Sequence, residues 1–498
     1  MTYLKQILIT ILFGGLLALS LWTSVQAHPD GATRYVAPGG NCGGATPCYA
    51  TIQAAVDVAA EGDLIKIAQG TYTDIHARNG LTQVVYIAKS VTLQGGYAPN
   101  NWGISNPIAH PTVINAQDKG RGIYAKDKNI VIQNLRITRG NARGQGGTSW
   151  GSDVGGGIFA TGTSLHLRGC ELDHNQADNG SGVYITGGQG IQVEQCHIHH
   201  NQGKGAALAV SNFQQAEIAD NLIERNNGGN DTWGCGIGAS NGSHLTLHDN
   251  KILYNKTTFY GGGASIDWVD DLLLENNLIM QNEGSQGGGL FLYHTSRVRL
   301  LRNRIIDNSA WKGGGIFIEG GALVFQNNVI TDNRSPNGGV AINLSRADLQ
   351  LIHTTVARNQ GKAGIAVQTF RYGDVNAPSH VTMTNTILFS HTVGISIDKD
   401  STVQSDSVLW QQNGKDWDGV GIITHTHDHR GDPKFAFDGY HLLAGSAAID
   451  QGVNAGVTRD IDRDPRPYGP GYDLGADEFN GAVLQAKKLY LPLALRRK

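Results

Sequence analysis

The phrase Asn-x-Ile-x-x-Asn, then a few polar residues, a run of glycines and an apolar strand, recurs through most of the chain, as in "NRIIDNSAWKGGGIFIEGG" at residues 303–321. Aligned copies begin "NLRI" at 134, "CELDHN" at 170, "CHIHHN" at 196, "NLIERN" at 221, "NKILYN" at 250, "NLIMQN" at 277, "NRIIDN" at 303, "NVITDN" at 328 and "TTVARN" at 354. After the first interval the steps are 26, 25, 29, 27, 26, 25 and 26 residues. A unit this short cannot bury an apolar face alone, so its copies must stack.

Each unit holds three short apolar alternations, such as "GIFIE", "LVFQN" and "VIT", separated by Gly and Asn turns. Period-2 patterning means strand, and three strands per repeat mean a coil with three faces. A helical repeat is excluded, because glycine runs interrupt the pattern and Val, Ile, Phe and Leu fill it. The expected fold is all-β: a single-stranded parallel β-helix, a solenoid of three parallel sheets around one dry core. Stacked coils repeat every ~4.8 Å, so each Asn amide can bond its equals above and below and satisfy buried turn backbone. The glycines are expected to supply positive φ where one sheet turns into the next. Cys170 and Cys196 replace Asn on adjacent coils, where a disulfide and two reduced thiols both fit; Cys235 is expected to stay free.

Composition narrows the class. Gly, at 68 of 498 residues, is abundant without a Gly-X-Y period, which excludes collagen. Lys5, the apolar residues 7–22 and the small-residue site Val25-Gln26-Ala27 read as a secretory signal, so the mature chain begins at His28. Losing Lys5 leaves 39 − 1 = 38 Lys and Arg against 42 Asp and Glu, a net charge of 38 − 42 = −4, with no basic patch for nucleic acid. No later apolar stretch approaches the roughly 18 residues of a spanning helix. In an oxidising compartment, Cys42 and Cys48, which bracket "CGGATPC", are the expected disulfide.

With the repeat covering roughly 129–412, the sequence resembles the right-handed parallel β-helix proteins of the pectin-lyase-like superfamily. The opening "YVAPGGNCGG" and the stretch "TIQAAVDVAAEGDLIKIAQGTY" at 51–72 are similar to that superfamily's N-terminal cap. Ile52, Val56 and nearby alanines would form the apolar face of a capping helix over the first coil, with "LIKIA" as the first strand. "DPKFAFDGYHLLAGSAAIDQG" and "TRDIDRDPRPYGPGYDLGADEF", within 432–479, resemble the choice-of-anchor Q region that precedes sorting tails in bacterial surface proteins. Here the tail is "KKLYLPLALRRK", which is no LPxTG signal. The expected organisation is a signal peptide at 1–27, cap and first coils at 28–128, repeats at 129–431, the anchor-type region at 432–480 and a tail at 481–498.

Ionisable residues cluster beside the ladder positions on three coils. Asp173, His199 and Glu224 share a column, since 199 − 173 is 26 and 224 − 199 is 25. Three uses fit it: a divalent-metal site, an inverting carboxylate pair with Asp173 and Glu224 about 9.6 Å apart, or a solvated polar face. Later coils carry Leu253, Met280, Ile306, Leu278 and Val329 at the same outward positions, an apolar patch that needs a cover, first of all the C-terminal segment. Aromatic rings in the turns suit the apolar faces of sugars and also the packing of their own loops. Trp150, Trp233, Phe259, Tyr260 and Trp311 lie before the glycines, and Asp267, Trp268, Tyr293, His294, Arg371 and Tyr372 lie in the opposite turns. The insertion "NARGQGGTSWGSD" is the expected groove wall. "HTHDHR" (His425, His427, His429) reads as a metal cluster or an exposed last strand. Asp460, Asp462 and Asp464 in "DIDRD" have Ca²⁺-loop spacing but lack the Gly and distal Glu of a full loop, so Ca²⁺ is the one cofactor the motifs suggest.

Two function classes follow. The superfamily resemblance implies a polysaccharide lyase or hydrolase, with a cation and an Arg, Lys or His base, or with paired aspartates. Neither a pectate-lyase-like Ca²⁺ and Arg motif nor the Asp-Asp and Gly-His-Gly motifs of polygalacturonases is present. The anchor-type C-terminus and regular coils favour instead a secreted or cell-surface protein, monomeric, that binds carbohydrate or a surface partner.

Overall fold

The computed structural model describes residues 31–148, 151–229, 234–372 and 375–481, with backbone alone at 371, 372 and 375. The expected signal peptide, Trp150, Trp233 and the tail beyond 481 lie outside the described residues. The chain winds as a right-handed β-helix. Face one includes Ile158–Thr161, Val183–Thr186 and Ile316–Glu319, and face two includes Ser164–Arg168, Arg297–Leu301 and Ala322–Gln326. Face three is a sheet of 13 short strands from Gly70–Tyr72 to Leu409–Gln411. Successive coils pair in parallel and in register, as at Ile305↔Ile330 and Leu323↔Leu349, so one inward Ile, Leu or Val from each strand stacks on its equivalent in a single continuous core.

Two buried asparagine ladders hold the corners flanking face three. In the longer, Asn175, Asn201, Asn226, Asn255, Asn282, Asn308 and Asn333 each donate Nδ2 to Oδ1 of the next, ending at Asn359, at 2.9–3.1 Å. The same oxygen accepts the preceding ladder residue's N–H, so each amide satisfies turn backbone on two coils. The other runs from Asn221 through Asn250, Asn277 and Asn303 to Asn328, and its first carbonyl accepts the N–H of Cys196. Asn134 is not part of it. Arg136 pairs with Glu171, which puts Leu135 in the ladder column, and Asn134 takes the left-handed position before it at φ 58°. Cys170, Cys196 and Cys235 are buried free thiols, Cys235 pushed up to about 12 by burial.

The glycines that open the runs supply positive φ as expected, Gly155, Gly180, Gly234, Gly261, Gly287 and Gly313 at 58–79°, and those that follow have a second duty. Polar left-handed residues also turn the chain directly before the ladder positions, as His200, Arg225, Asp307 and Asp332 do at φ 53°, 52°, 54° and 59°. In the triplet at 261–263 only Gly261 has positive φ, at 62°. A Cβ on Gly262 or Gly263 would stand 2.5 Å from the carbonyl oxygen of Glu283 or Gly289 on the next coil. Close approach of neighbouring backbones is what excludes side chains there.

At the N-terminal end the helix Ile52–Val58, capped by Thr51 Oγ1 on Ala54 N–H at 3.1 Å, turns Ile52, Ala55 and Val56 into the core. Gln53 bonds both backbone groups of Tyr86 in the edge coil, accepting its N–H at 2.7 Å. Thr33–Val36 precedes "LIKIA" and pairs with it in parallel, so the solenoid begins one strand earlier than the patterning suggests. Cys42 and Cys48 are joined in the adjacent loop.

Residues 432–481 form no helix or long strand and pack on face three. Tyr440, Ile461 and Ala476 cover Val329, and Leu442, Ala448 and Leu474 cover Ile387 and Leu409. Asn385 exchanges two hydrogen bonds with Val453, at 2.7 and 2.9 Å, and Thr355 Oγ1 accepts the N–H of Ala476 at 3.0 Å. The cover expected over the apolar columns is therefore found on the later coils. Leu278, Met280 and Ile306 remain half-buried.

Candidate functional site

The corner between faces one and two carries the most site-like arrangement. In the 12-residue strand Ala264–Glu275 the chain passes from one face to the other by bending at Trp268, whose φ is 53°. This bend ejects the indole, which is 53% exposed. One coil on, His294 occupies the same left-handed position at φ 50° and its ring stacks on Trp268, centroids 4.3 Å apart at 13°. The next coil has Gly320 and Gly321 here, leaving a rung without a side chain. Beyond it Arg346 reaches back across the blank rung, and Nη2 donates to His294 Nε2 at 2.7 Å. The same guanidinium lies 3.4 Å from Glu319 and 4.8 Å from the ring of Phe370.

A groove of about 450 Å³ results, with Trp268 and His294 as a flat wall and Arg346 as a cationic one. Its floor includes Thr295, whose hydroxyl is buried without a hydrogen-bond partner. Burial, and then the Arg346 charge, hold His294 below the ordinary histidine value. The imidazole is neutral, with Nε2 as the acceptor.

Aromatic rings lead from the opposite edge of face one to this groove. Tyr260 stacks on Phe291 at 4.7 Å and 6°, and Phe291 lies 6.0 Å from Tyr293. Tyr293 in turn meets His294 at 4.1 Å and Trp268 at 6.4 Å, both edge to face. With Phe259 4.1 Å from Tyr260, the structure thus joins five of the aromatic candidates, Phe259, Tyr260, Tyr293, His294 and Trp268, into one band. Trp311, 62% exposed, is not in ring contact with it among the described residues. The hairpin Phe370–Tyr372 and Val375–Ala377 adjoins the groove through Phe370, and the side chain of Arg371 lies outside the described residues. Sequence reasoning missed Arg346, Gly320 and Thr295. The signal was present: 268, 294, 320 and 346 are spaced by 26.

The ionisable column on face three is real, for Asp173 pairs with His199 and His199 with Glu224 in parallel register. Of its three readings, the ion pairs made here fit the polar face better than an acid and base pair. Asp173 is fully buried; Arg136 donates to both its oxygens, at 2.8 and 2.7 Å, and His174 Nδ1 lies 2.6 Å from Oδ2. Burial alone would raise its carboxyl, but bonds from Arg136 and His174 prevail and hold it at about 2. Glu224 is held low by His197 Nε2 at 3.1 Å, and Glu171 by His199 Nε2 at 3.2 Å. Every carboxylate here is an ionised partner of a cation or imidazole, and none is kept protonated as a general acid. A metal at Glu171, Asp173 and His199 would have to displace Arg136.

The Ca²⁺-loop expectation fails for a similar reason. Asp460 is buried and spends Oδ1 on the N–H groups of Asp462 and Asp464, at 2.9 and 2.8 Å. Asp462 turns to Arg304 and His441, and Asp464 accepts from Asn480. The three carboxylates do not converge. His425, His427 and His429 lie at the exposed last strand Ile422–Thr426 and its exit, His427 pairing with Asp406 at 3.0 Å.

None of the curated proteins matches the chain. Among solved structures, that of pectate lyase Pel9A is similar at 13% identity and a TM-score of 0.37, over 90% of this chain and 96% of that one. The family model described as "Right handed beta helix region" matches residues 104–252 and 230–360, together more than half of the sequence. With the parallel coils, the ladders and the continuous core, this match places the chain in the right-handed β-helix family.

Proposed function

We propose that this chain is an exported, non-catalytic β-helix protein that binds polysaccharide across face one, with an acidic sugar unit seated in the corner groove at Trp268 and Arg346. The observation that carries this is the exposed end of the aromatic band, where Trp268 stacks on His294 beside a blank rung with a guanidinium on its far side, the buried Phe291 backing it. Flat rings accept the apolar faces of sugars, and a planar cation favours a carboxylate. Among the described residues Arg346 spends Nη2 on His294 and, at 3.4 Å, on Glu319, which leaves its other N–H groups as donors for a sugar carboxylate. The signal-like N-terminus and anchor-type residues 432–480 support export and surface display. The paired carboxylates of face three favour binding over hydrolysis.

The test is a panel of neutral and uronate polysaccharides, scored for retention by affinity electrophoresis and for cleavage at 235 nm and by reducing ends, with and without Ca²⁺. Expected are retention of a uronate polymer without turnover and at least about tenfold weaker retention, or about 1.4 kcal/mol, in Trp268→Ala and Arg346→Ala. Cleavage abolished by Asp173→Ala with Glu224→Ala would replace the proposal with a hydrolase or lyase.

A further inference from the structure

Where residues 432–481 dock on face three, a second polar cluster is assembled that the binding groove does not use. His441 is held from both sides. Its Nδ1 faces Asp438, while Nε2 lies 2.6 Å from Asp462 Oδ2 and 3.8 Å from Asp477 Oδ1. The other oxygen of Asp462 accepts from Arg304 Nη2 at 2.6 Å, which leaves Oδ2 for the histidine. Asp477 is 6% exposed. Its Oδ2 accepts the N–H of Leu442 at 2.7 Å, and among the described residues Oδ1 accepts no hydrogen bond although it points at His441.

Oδ1 of Asp477 thus meets His441 only as an ion pair at 3.8 Å, with lone pairs open to a ligand. Four carboxylates, Asp438, Asp460, Asp462 and Asp477, gather here around His441, Arg304 and Arg466. Asp460 cannot share, because backbone N–H groups of Asp462, Asp464 and Glu478 occupy it. The ligand atoms of His441, Asp462 and Asp477 lie within 4.8 Å of one another, close enough for one centre to reach all three after small shifts.

We infer that His441 Nε2, Asp462 Oδ2 and Asp477 Oδ1 bind a divalent transition-metal ion, Zn²⁺ by the donor set, and that this ion clamps the C-terminal segment in its docked form. One imidazole with two carboxylates suits Zn²⁺, whereas Ca²⁺ takes oxygen ligands alone. Asp438, against Nδ1, supplies the carboxylate that fixes a ligating imidazole through its other nitrogen. The ion takes the place of the proton between Nε2 and Asp462, and water completes its shell. The clamp joins three separate stretches of the segment, and Asp462 carries it onto the solenoid through Arg304 of the strand Arg304–Ile306.

The full-length protein, stripped by chelator and titrated calorimetrically with ZnCl₂, should take up a single ion at this site and melt at a higher temperature with Zn²⁺ than without. Excess CaCl₂ should not compete. Asp477→Asn keeps an acceptor for the Leu442 N–H and is expected to fold, yet it and His441→Gln should abolish this uptake; Asp438→Asn should weaken it about 10- to 100-fold with all ligands intact. No uptake by the wild type, or uptake unchanged in both ligand variants, overturns the proposal. If the variants do not fold, the X-ray absorption spectrum of the Zn²⁺-loaded wild type decides. One imidazole among oxygen donors supports the site, and a shell of several imidazoles, as His197, His199 and His200 would give, overturns it.

Discussion

Arg346 donates Nη2 to Nε2 of His294 from two coils away, at 2.7 Å, across the rung left blank by Gly320. The bond requires His294 to be neutral, and the Arg346 charge helps keep it so. Removing the guanidinium should therefore raise the His294 pKa, although burial still opposes protonation. Because the folded value lies below the unfolded one, the contribution to stability is complete above pH 6.5 or so and is lost as pH falls through the folded value. NMR titration of the His294 ring in wild type and Arg346→Ala measures this directly. Equal values in the two proteins would remove Arg346 as a cause.

Asp267, beside Tyr293 in the register of face one, should act in the opposite sense. Burial pushes its carboxyl up to about 6. Between pH 4 and 6 the unfolded chain ionises while the folded carboxyl stays neutral, so stability falls as pH rises through this window. Asp267→Asn should raise Tm at pH 7.5 and leave it nearly unchanged at pH 4. Scanning calorimetry at both values checks the sign.

Asn303 shows what a ladder position contributes. Its Oδ1 accepts from the N–H and Nδ2 of Asn277 at 3.0 and 2.9 Å, and its Nδ2 donates to Asn328 and to the Leu274 carbonyl at 3.1 and 2.8 Å. Asn303→Ala strands buried donors and acceptors on both neighbouring coils and should cost about 1–3 kcal/mol. Thermal unfolding followed by circular dichroism gives the shift, and an unaltered Tm would contradict the ladder's role.

The glycine triplets make a sharper claim about distance. Gly263→Ala would bring a methyl to 2.5 Å from the Gly289 carbonyl oxygen, so the coils must separate. A loss of about 3 kcal/mol or more, or failure to fold, is expected. Gly190 has ordinary φ and open space where a Cβ would stand, so Gly190→Ala should be neutral or stabilising by a few tenths of a kcal/mol. Comparing the two in urea separates steric exclusion from a general intolerance of substitution.

Much of this architecture was legible because a repeat reports its own geometry. The 26-residue steps place Asp173 beside His199 and Trp268 beside His294 without any coordinates. Less legible was anything that depends on a partner across a break in the period. Arg136, which neutralises Asp173, is separated from it by the 141–153 insertion, across which the 26-residue step is broken and Leu135, not Asn134, falls in the ladder column. Periodicity alone does not say which of several outward charges will pair, since side chains reach diagonally, as His197 does to Glu224. Gly320 was overlooked because an absent side chain carries no pattern of its own, yet it is what opens the groove.

The most direct test of the binding account is a crystal structure of the protein soaked with the uronate oligosaccharide that it retains best. A sugar ring stacked on Trp268, with its carboxylate on Arg346 and a hydroxyl on Thr295, is the predicted result. A sugar seated instead over Asp173 and Glu224 on face three, with the corner groove empty, would contradict it.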